Sequence, residues 1–330
     1  MRYRRVPNTS LKVSEVGFGV WTLSTGWWGE VSDEKAHRLL RDALDRGINF
    51  FDTADTYGNG RGERLVGDAL AGVRDEVVIA TKFGYDFYHF QGERKGQQEI
   101  PQDFSPQHIR FACEESLKRL RTDHIDLYQI HNPKMSAVEQ DDLYQTLDAL
   151  KKEGKIVTWG AALGPAIGWL EEGTRLVRER KTPCLQMIYN LLEQDPGRDL
   201  IREAREAGAC IFVRVPHSSG MLEGKYTKDT VFPENDHRRH RKREWLITGL
   251  QKIEKLDFLT QDKGRTLGQA ALKFILAEPA VVSTLPNIYG EEQIDEFARA
   301  SECPDLTGEE LARIAELYEN KFYLAEQVVS

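Results

Sequence analysis

The amino-acid sequence predicts an α/β fold, a single (β/α)8 TIM barrel domain spanning residues 1–330. The main observation is an alternation of eight strand-then-helix units, with no low-complexity segment and no linker that would separate two domains. A second observation is that ionisable side chains follow several apolar strands, and the strand ends of such a barrel carry its chemistry. A doubly wound sheet would place a glycine-rich phosphate turn after its first strand, whereas Gly17-Phe18-Gly19 lacks the third glycine.

Each element is predicted from side-chain periodicity and from the residues that start or stop it. Ser32 and Ser105 are N-cap candidates, and Pro106 suits the first position of a helix. Gly47 is placed to end the helix that follows Ser32. An N-terminal β-hairpin over 3–6 and 11–13 precedes the barrel strands, which are predicted at 15–21, 48–51, 76–82, 125–130, 156–162, 184–189, 209–215 and 281–285. Helices are predicted at 33–46, 63–70, 106–120, 143–152, 165–180, 200–207, 246–258, 267–276 and 291–298, with an extra C-terminal helix at 306–318.

The composition limits the class of protein. Hydrophobic residues make up 40% of the chain and charged residues 30%, which is typical of a globular protein. No apolar run approaches the ~18 residues of a membrane helix, and no apolar signal segment follows the basic start, so we expect a cytoplasmic protein with no membrane partner. The net charge of −8 argues against nucleic acid as a partner. The four cysteines fit no metal spacing, so we expect free thiols and no metal site.

Three consecutive predicted strands end in ionisable groups. Asp52 ends the second strand with Tyr57 just beyond it, Lys82 ends the third, and His131 follows the fourth. Each has an ordinary structural reading, as a turn former, an exposed strand end or a loop residue. Because neighbouring strands lie about 5 Å apart, all four side chains are expected to meet at one mouth of the barrel.

This cluster suits proton transfer to a carbonyl oxygen while hydride arrives on the adjacent carbon. A phenol is a poor acid at neutral pH unless a neighbouring cation assists it, and a lysine ammonium is such a cation. We therefore expect Tyr57 to be the acid and Asp52 to hold Lys82 by an ion pair. His131 would donate to the substrate oxygen or help to pass the proton.

The sequence resembles the aldo-keto reductase superfamily over nearly its whole length. The resemblance implies a barrel that binds NADPH or NADH without a Rossmann fold, with Tyr57 as general acid/base and Asp52, Lys82 and His131 as its partners. The segments that carry the resemblance are 51–58, 80–82, 114–120, 123–131, 154–156, 186–192 and 220–226.

The resemblance also implies a set of residues that bind the nucleotide, and this chain departs from the family pattern within it. Ala162-Leu163 stands where the family usually has a Ser-Asn pair that holds the nicotinamide amide, and these side chains cannot hydrogen-bond. Arg214 stands where the family commonly has a Tyr that stacks on the nicotinamide. The charge of Arg214 would disfavour the oxidised nicotinamide ring, which is cationic. Alternatively, the Arg214 side chain would turn toward a phosphate or an anionic substrate. The implied cofactor-binding residues are Gly19, Gln186, Arg214, Ser218, Gly220, Leu222, Lys225, Asn287, Gln293 and Glu296.

The choice between NADPH and NADH stays open at the sequence level. Similar sequences carry Lys or Arg after the eighth strand to bind the 2′-phosphate of NADP, whereas residues 286–293 hold Glu291 and Glu292 and no base. These acids would repel a phosphate unless a cation comes from elsewhere in the chain. The basic run 237–243 could close over the cofactor phosphates, or it could be a solvated surface loop.

Aromatic residues after the first and third strands are candidates for a substrate wall. Trp21 and Tyr85 are the substrate-binding candidates, and such residues can equally be core beneath a long loop. The expected substrate is a small aldehyde or ketone, or the matching alcohol, handled by a monomer or small homo-oligomer. The alternative function is a catalytically weak nucleotide-binding or sensing subunit on the same fold.

Overall fold

The computed structural model describes residues 1–90, 99–165 and 167–324 of the chain. A β-hairpin and eight parallel strands account for the strands in these ranges, and the eight-stranded sheet confirms the predicted barrel. The strands are β1 (Tyr3–Arg5), β2 (Lys12–Ser14), β3 (Phe18–Gly19), β4 (Phe50–Asp52), β5 (Val78–Phe83), β6 (Ile125–His131), β7 (Ile156–Ala162), β8 (Cys184–Ile188), β9 (Cys210–Arg214) and β10 (Val281–Leu285).

The barrel strands pair in chain order, from β3 to β10, and the ring closes between its first and last strands. The backbone N–H of Gly17 donates to the carbonyl of Thr284 at 2.9 Å, and the N–H of Thr284 donates to the carbonyl of Glu15 at 2.9 Å. Beyond them, Gly19 forms a parallel bridge with Asn287. Only Phe18 and Gly19 of the predicted strand 15–21 have regular strand pairing with β4, because a short helix already begins at Trp21.

The hairpin closes the N-terminal end of the barrel. Val6, Leu11 and Val13 are buried in one apolar cluster with Phe50 and Phe212 from inside the ring. The Phe50 and Phe212 rings pack at 4.8 Å between centroids, with a tilt of 35° between their planes. Apolar side chains fill this end of the barrel. Polar groups are therefore expected at the opposite end, where the strands finish.

Helices separate the strands and cover the outside of the ring. Ser32 and Ser105 cap their helices as predicted, accepting from the N–H groups of Lys35 and His108 at 3.3 Å. The helices are α1 (Trp21–Ser24), α2 (Asp33–Asp45), α3 (Arg61–Leu70), α4 (Pro106–Leu120), α5 (Met135–Val138), α6 (Asp141–Lys152), α7 (Leu170–Arg178), α8 (Gly197–Ala207), α9 (Arg243–Glu254), α10 (Leu267–Leu276), α11 (Glu291–Ala298) and α12 (Gly308–Glu319).

The helix predicted at 165–180 was placed too early. It begins at Leu170, because Gly168 has φ 122°, which is outside the helical region of the backbone. The helix predicted to run to residue 258 ends at Glu254 and is followed by a 3-10 turn, Asp257–Leu259. No helix within the described ranges is long and apolar enough to cross a membrane.

Candidate active site

The carboxyl ends of β4, β5 and β6 bring together the four side chains that were predicted to meet. The Lys82 ammonium donates to Asp52 Oδ1 at 2.5 Å and to the carbonyl of Thr53 at 2.7 Å. Lys82 Nζ lies 5.1 Å from the centroid of the Tyr57 ring, and the Tyr57 and His131 rings meet edge to face at 5.9 Å. The Lys82 ammonium thus lies beside the Tyr57 phenol, and the His131 imidazole contacts the same phenol ring.

The Asp52 carboxylate is held by two glutamines that lie deeper in the barrel. Asp52 Oδ2 accepts from Gln129 Nε2 at 2.9 Å and from Gln186 Nε2 at 2.8 Å. The three residues belong to β4, β6 and β8, and alternate strands of a barrel contribute to the same interior layer. This layer fixes the second carboxylate oxygen while Lys82 binds the first.

Gln129 is a site residue that sequence reasoning missed. It is 1% exposed and lies two positions before His131, on the same face of β6. An amide in a strand of otherwise apolar inward residues was the available signal. Gln186 was expected to bind the nicotinamide amide, and in this structure its Nε2 group is directed to Asp52 and to Gln129 Oε1.

Tyr85 and Trp21 both lie at the mouth, as their position after strands predicted. The Tyr85 ring contacts His131 edge to face at 5.0 Å, and Tyr85 OH accepts from Asn132 Nδ2 at 2.8 Å. Trp21 packs against Trp27 and Trp28, at 6.1 Å between ring centroids in each case. Tyr85 therefore borders the Tyr57–His131 pair, and Trp21 belongs to an aromatic group at the end of β3.

Arg214 ends β9 and reaches toward the loop after β7. Its Nη2 donates to the carbonyl of Leu163 at 2.8 Å and to the carbonyl of Gly164. Burial lowers the pKa of the Arg214 guanidinium, while the Tyr57 and Asp52 groups act to raise it. The guanidinium thus occupies the same end of the barrel as Tyr57, next to the segment that lacks the Ser-Asn pair.

The loop after β9 carries four of the implied nucleotide-binding residues. Ser218 is buried and its hydroxyl donates to Glu193 Oε2 at 3.2 Å. Gly220 has φ 87°, and a Cβ there would come within 2.3 Å of Tyr226 OH. Leu222 is fully buried, whereas Lys225 is exposed.

The remaining implied residues lie where β3, β10 and α11 meet. Gly19 and Asn287 pair through their backbones, and Glu296 accepts from the hydroxyl of Thr266. Gln293 is 3% exposed and borders a cavity of about 420 Å³ between α2 and the start of α11. The other residues around this cavity are Lys35, Arg38, Leu39, Tyr289, Gly290, Glu291 and Glu292.

Two buried polar atoms are compatible with a nucleotide at this end of the barrel. Arg214 Nε and Gln293 Oε1 lack hydrogen-bond partners within the described part of the chain. Buried polar groups are normally satisfied, so each atom has capacity for a polar ligand. The first lies at the end of β9, at the same end of the barrel as Tyr57, and the second borders the cavity at α11.

The basic run 237–243 is only partly a solvated loop. Arg238 forms an ion pair with Asp236 and stacks on Trp28, with Cζ 3.9 Å from the ring centroid. The N–H of His237 donates to the carbonyl of Trp27 at 3.0 Å, and burial lowers the pKa of His237 to about 4. Arg239 is exposed. The segment therefore joins the loops after β3 and β9 at one side of the mouth.

Asp55 is a buried carboxyl just behind the site. It is 0% exposed, and neither carboxyl oxygen has a partner within residues 1–90, 99–165 and 167–324. Burial and the nearby Glu63 carboxylate raise its pKa. The Glu63 carboxylate has hydrogen-bond partners of its own. It accepts from Thr81 Oγ1 and from Arg119 Nε, each at 2.6 Å.

Replacing Asp55 with Asn is expected to stabilise the protein at neutral pH by at least about 1 kcal/mol, because the amide cannot ionise and avoids the cost of burying a charge. The pKa of Asp55 is raised in the folded state. The wild-type protein therefore has its full stability at pH values below the ordinary carboxyl range, and it loses stability as the pH rises through the folded pKa of Asp55. The gain in unfolding free energy, measured by urea denaturation, should therefore be larger at pH 8 than at pH 4.

The exposed Asp229 provides the control, because Asp229→Asn should change the unfolding free energy by less than about 0.5 kcal/mol at either pH. An Asp55→Asn variant that is less stable than the wild type at pH 8 would contradict the conclusion that the Asp55 carboxyl is buried without a hydrogen-bond partner.

Metal ligation has no candidate in the described ranges. No group of three or more His, Cys, Asp and Glu side chains there is placed to hold a metal ion. The thiols of Cys184 and Cys210 are buried on neighbouring strands, with their sulfurs 3.4 Å apart, and are reduced.

Comparison with known proteins gives a consistent assignment. A model of the aldo/keto reductase family matches residues 15–319. An aldo-keto reductase of Bacillus subtilis, YhdN, is 29% identical in an alignment of 289 positions that covers 84% of this chain and 82% of that protein. The solved glycerol dehydrogenase of Gluconobacter oxydans has a TM-score of 0.83 and 27% identity, covering 99% of this chain and 98% of that one.

A relative of another kind is also similar to this chain. A probable voltage-gated potassium channel subunit beta of Arabidopsis thaliana is 27% identical in an alignment of 339 positions that covers 97% of this chain and 98% of that protein. The same barrel is thus found in proteins named for oxidoreduction and in one named as a channel subunit.

Proposed function

We propose a reaction from one established premise: the chain belongs to the aldo/keto reductase family. Members of this family are NAD(P)-dependent oxidoreductases. The proposed reaction is the reduction of a small aldehyde or ketone to an alcohol, or its reverse, within a single domain. The observation that carries the proposal is the contact of Tyr57 with both Lys82 and His131.

Tyr57 is proposed to give its phenolic proton to the carbonyl oxygen. A reduced nicotinamide nucleotide supplies the hydride to the carbonyl carbon when it is bound. Lys82 lies 5.1 Å from the Tyr57 ring centroid, and its positive charge favours the phenolate left after the proton has moved. The proton and hydride together balance the two-electron reduction of the carbonyl group.

Asp52 and His131 are proposed to position the acid. Asp52 binds Lys82 through Oδ1, and its other oxygen is held by Gln129 and Gln186, so the ammonium has one defined position. His131 contacts both Tyr57 and Tyr85, and it is proposed to donate to the substrate oxygen from the side opposite Lys82. A hydrogen bond to the developing oxyanion lowers the barrier of such a step.

The cofactor is proposed to be NADPH or NADH with little discrimination between them. Around the cavity at α11, Lys35 and Arg38 are matched by Glu291 and Glu292, and Arg38 also pairs with Glu34 at 3.0 Å. A phosphate on the adenosine ribose would be attracted by the two cations and repelled by the two carboxylates. Lys35 and Arg38 come from α2 and are the cations that the segment after β10 lacks.

We expect both nucleotides to quench tryptophan fluorescence saturably, with dissociation constants that differ by less than about tenfold, or 1.4 kcal/mol. Trp21 and Trp28 at the mouth are the expected reporters. Turnover of NADPH or NADH with a panel of aldehydes and ketones completes the test. Failure of both nucleotides to bind the pure protein would contradict the proposed function.

The similarity to a potassium channel subunit beta supports a second candidate, a nucleotide-binding or sensing subunit with weak catalysis. Tight binding of either nucleotide without measurable carbonyl turnover would favour this candidate. The presence of all four of Asp52, Tyr57, Lys82 and His131 supports the enzyme, because a binding subunit needs no proton donor.

A further inference from the structure

The Arg214 guanidinium has a fixed position at the mouth of the barrel. Its Nη2 donates to the carbonyl of Leu163 at 2.8 Å and also to the carbonyl of Gly164, so two backbone acceptors hold it. Neutral carbonyls fix the group without cancelling its charge. Its Nε is buried and has no partner within the described part of the chain.

No carboxylate of the described residues forms an ion pair with this cation. The carboxylate that acts on it from inside the ring is Asp52. Asp52 is already engaged by the Lys82 ammonium on one oxygen and by Gln129 and Gln186 on the other. Lys82 and Arg214, at the described ends of β5 and β9, therefore share the single carboxylate of Asp52.

A nicotinamide ring bound beside Tyr57 would lie at the same end of the barrel as this charge. Tyr57 must hydrogen-bond to the carbonyl oxygen while hydride reaches the adjacent carbon, so the ring has to lie within a few ångströms of Tyr57. Arg214 ends β9, at the same end of the barrel as Tyr57. The ring is neutral when reduced and cationic when oxidised, and a like charge in a water-poor site raises the energy of the oxidised form alone.

We propose that Arg214 makes this site bind the reduced nicotinamide nucleotide in preference to the oxidised one, and so directs the protein toward carbonyl reduction. This inference rests on the proposed function and specifies the direction in which the proposed reaction runs. In that direction a bound reduced nucleotide would supply the hydride, Tyr57 would give its proton to the carbonyl oxygen, and the charge of Arg214 would disfavour retention of the oxidised, cationic form.

The test compares the dissociation constants of the oxidised and reduced forms of one nucleotide, measured by titration of the pure protein. In Arg214→Gln the charge is lost while a polar side chain that can donate hydrogen bonds is kept. We expect the ratio of oxidised to reduced dissociation constants to fall at least tenfold in this variant. Arg214→Lys keeps the charge and should retain the wild-type ratio within about threefold, and thermal melts verify that each variant is folded.

A ratio that is unchanged in Arg214→Gln would overturn the proposal, as would an equal fall in Arg214→Lys, because the charge would then not be the cause. Arg214→Met is a second uncharged variant if the glutamine variant does not fold, with the same tenfold fall expected. Failure of the proposed function itself would appear differently, as a wild-type protein that binds neither form of either nucleotide.

Discussion

Replacing Tyr57 with Phe is expected to lower kcat for carbonyl reduction by about 10²–10⁴-fold, the usual contribution of a positioned general acid. The substitution removes one hydroxyl and keeps the ring that packs against His131 at 5.9 Å, so the site should retain its shape. Steady-state oxidation of the reduced nucleotide measures the loss. Nucleotide affinity, measured by fluorescence titration, should change by less than about threefold.

Tyr85→Phe is the matched control, because Tyr85 also contacts His131 and also carries a hydroxyl at the mouth. Its hydroxyl accepts from Asn132, and we expect kcat to change by less than tenfold when that bond is lost. Wild-type turnover in Tyr57→Phe, with both variants folded, would refute Tyr57 as the acid.

Replacing Lys82 with Met is expected to destabilise the protein by about 3–5 kcal/mol, the cost of breaking a buried ion pair and leaving one charge behind. Lys82 is 1% exposed and Asp52 is 4% exposed, so water cannot replace the lost ammonium. The free energy of unfolding, measured in urea, reports the effect. The variant should also lose carbonyl turnover, because the phenolate of Tyr57 would lose the Lys82 ammonium beside it.

A double variant separates the charge from the packing. In Asp52→Asn with Lys82→Met, no buried charge is left unpaired, and we expect at least about 2 kcal/mol of the loss to be recovered relative to Lys82→Met alone. The amide of the new asparagine can still interact with Gln129 and Gln186. Strictly additive losses in the double variant would mean that the two side chains are not coupled in the folded protein.

The sequence was sufficient for the barrel and for the four side chains at its mouth. Asp52, Lys82 and His131 each interrupt an apolar strand at its end, and the strand order brings such ends together without any knowledge of side-chain packing. The expected Asp52–Lys82 ion pair is present in the structure. The proton-transfer roles of the four residues remain proposals.

Other features depend on contacts that no local pattern encodes. Arg214 is fixed by carbonyls of Leu163 and Gly164, about fifty positions earlier in the chain, and Gln129 has a role only because two other strands place Asp52 and Gln186 beside it. The early start predicted for α7 arose because apolar spacing alone does not reveal the φ of Gly168.

The plugged end of the barrel has a consequence for how such a protein can diversify. Arg4 binds Glu15 and donates to the carbonyls of Leu276 and Val281, each at 2.7 Å, so the hairpin is fastened to the start of β10. The ring is thus closed and stabilised at the end that performs no chemistry. Loops at the other end, such as the one between β9 and α9, can change in length and sequence over evolution while the barrel core stays covered.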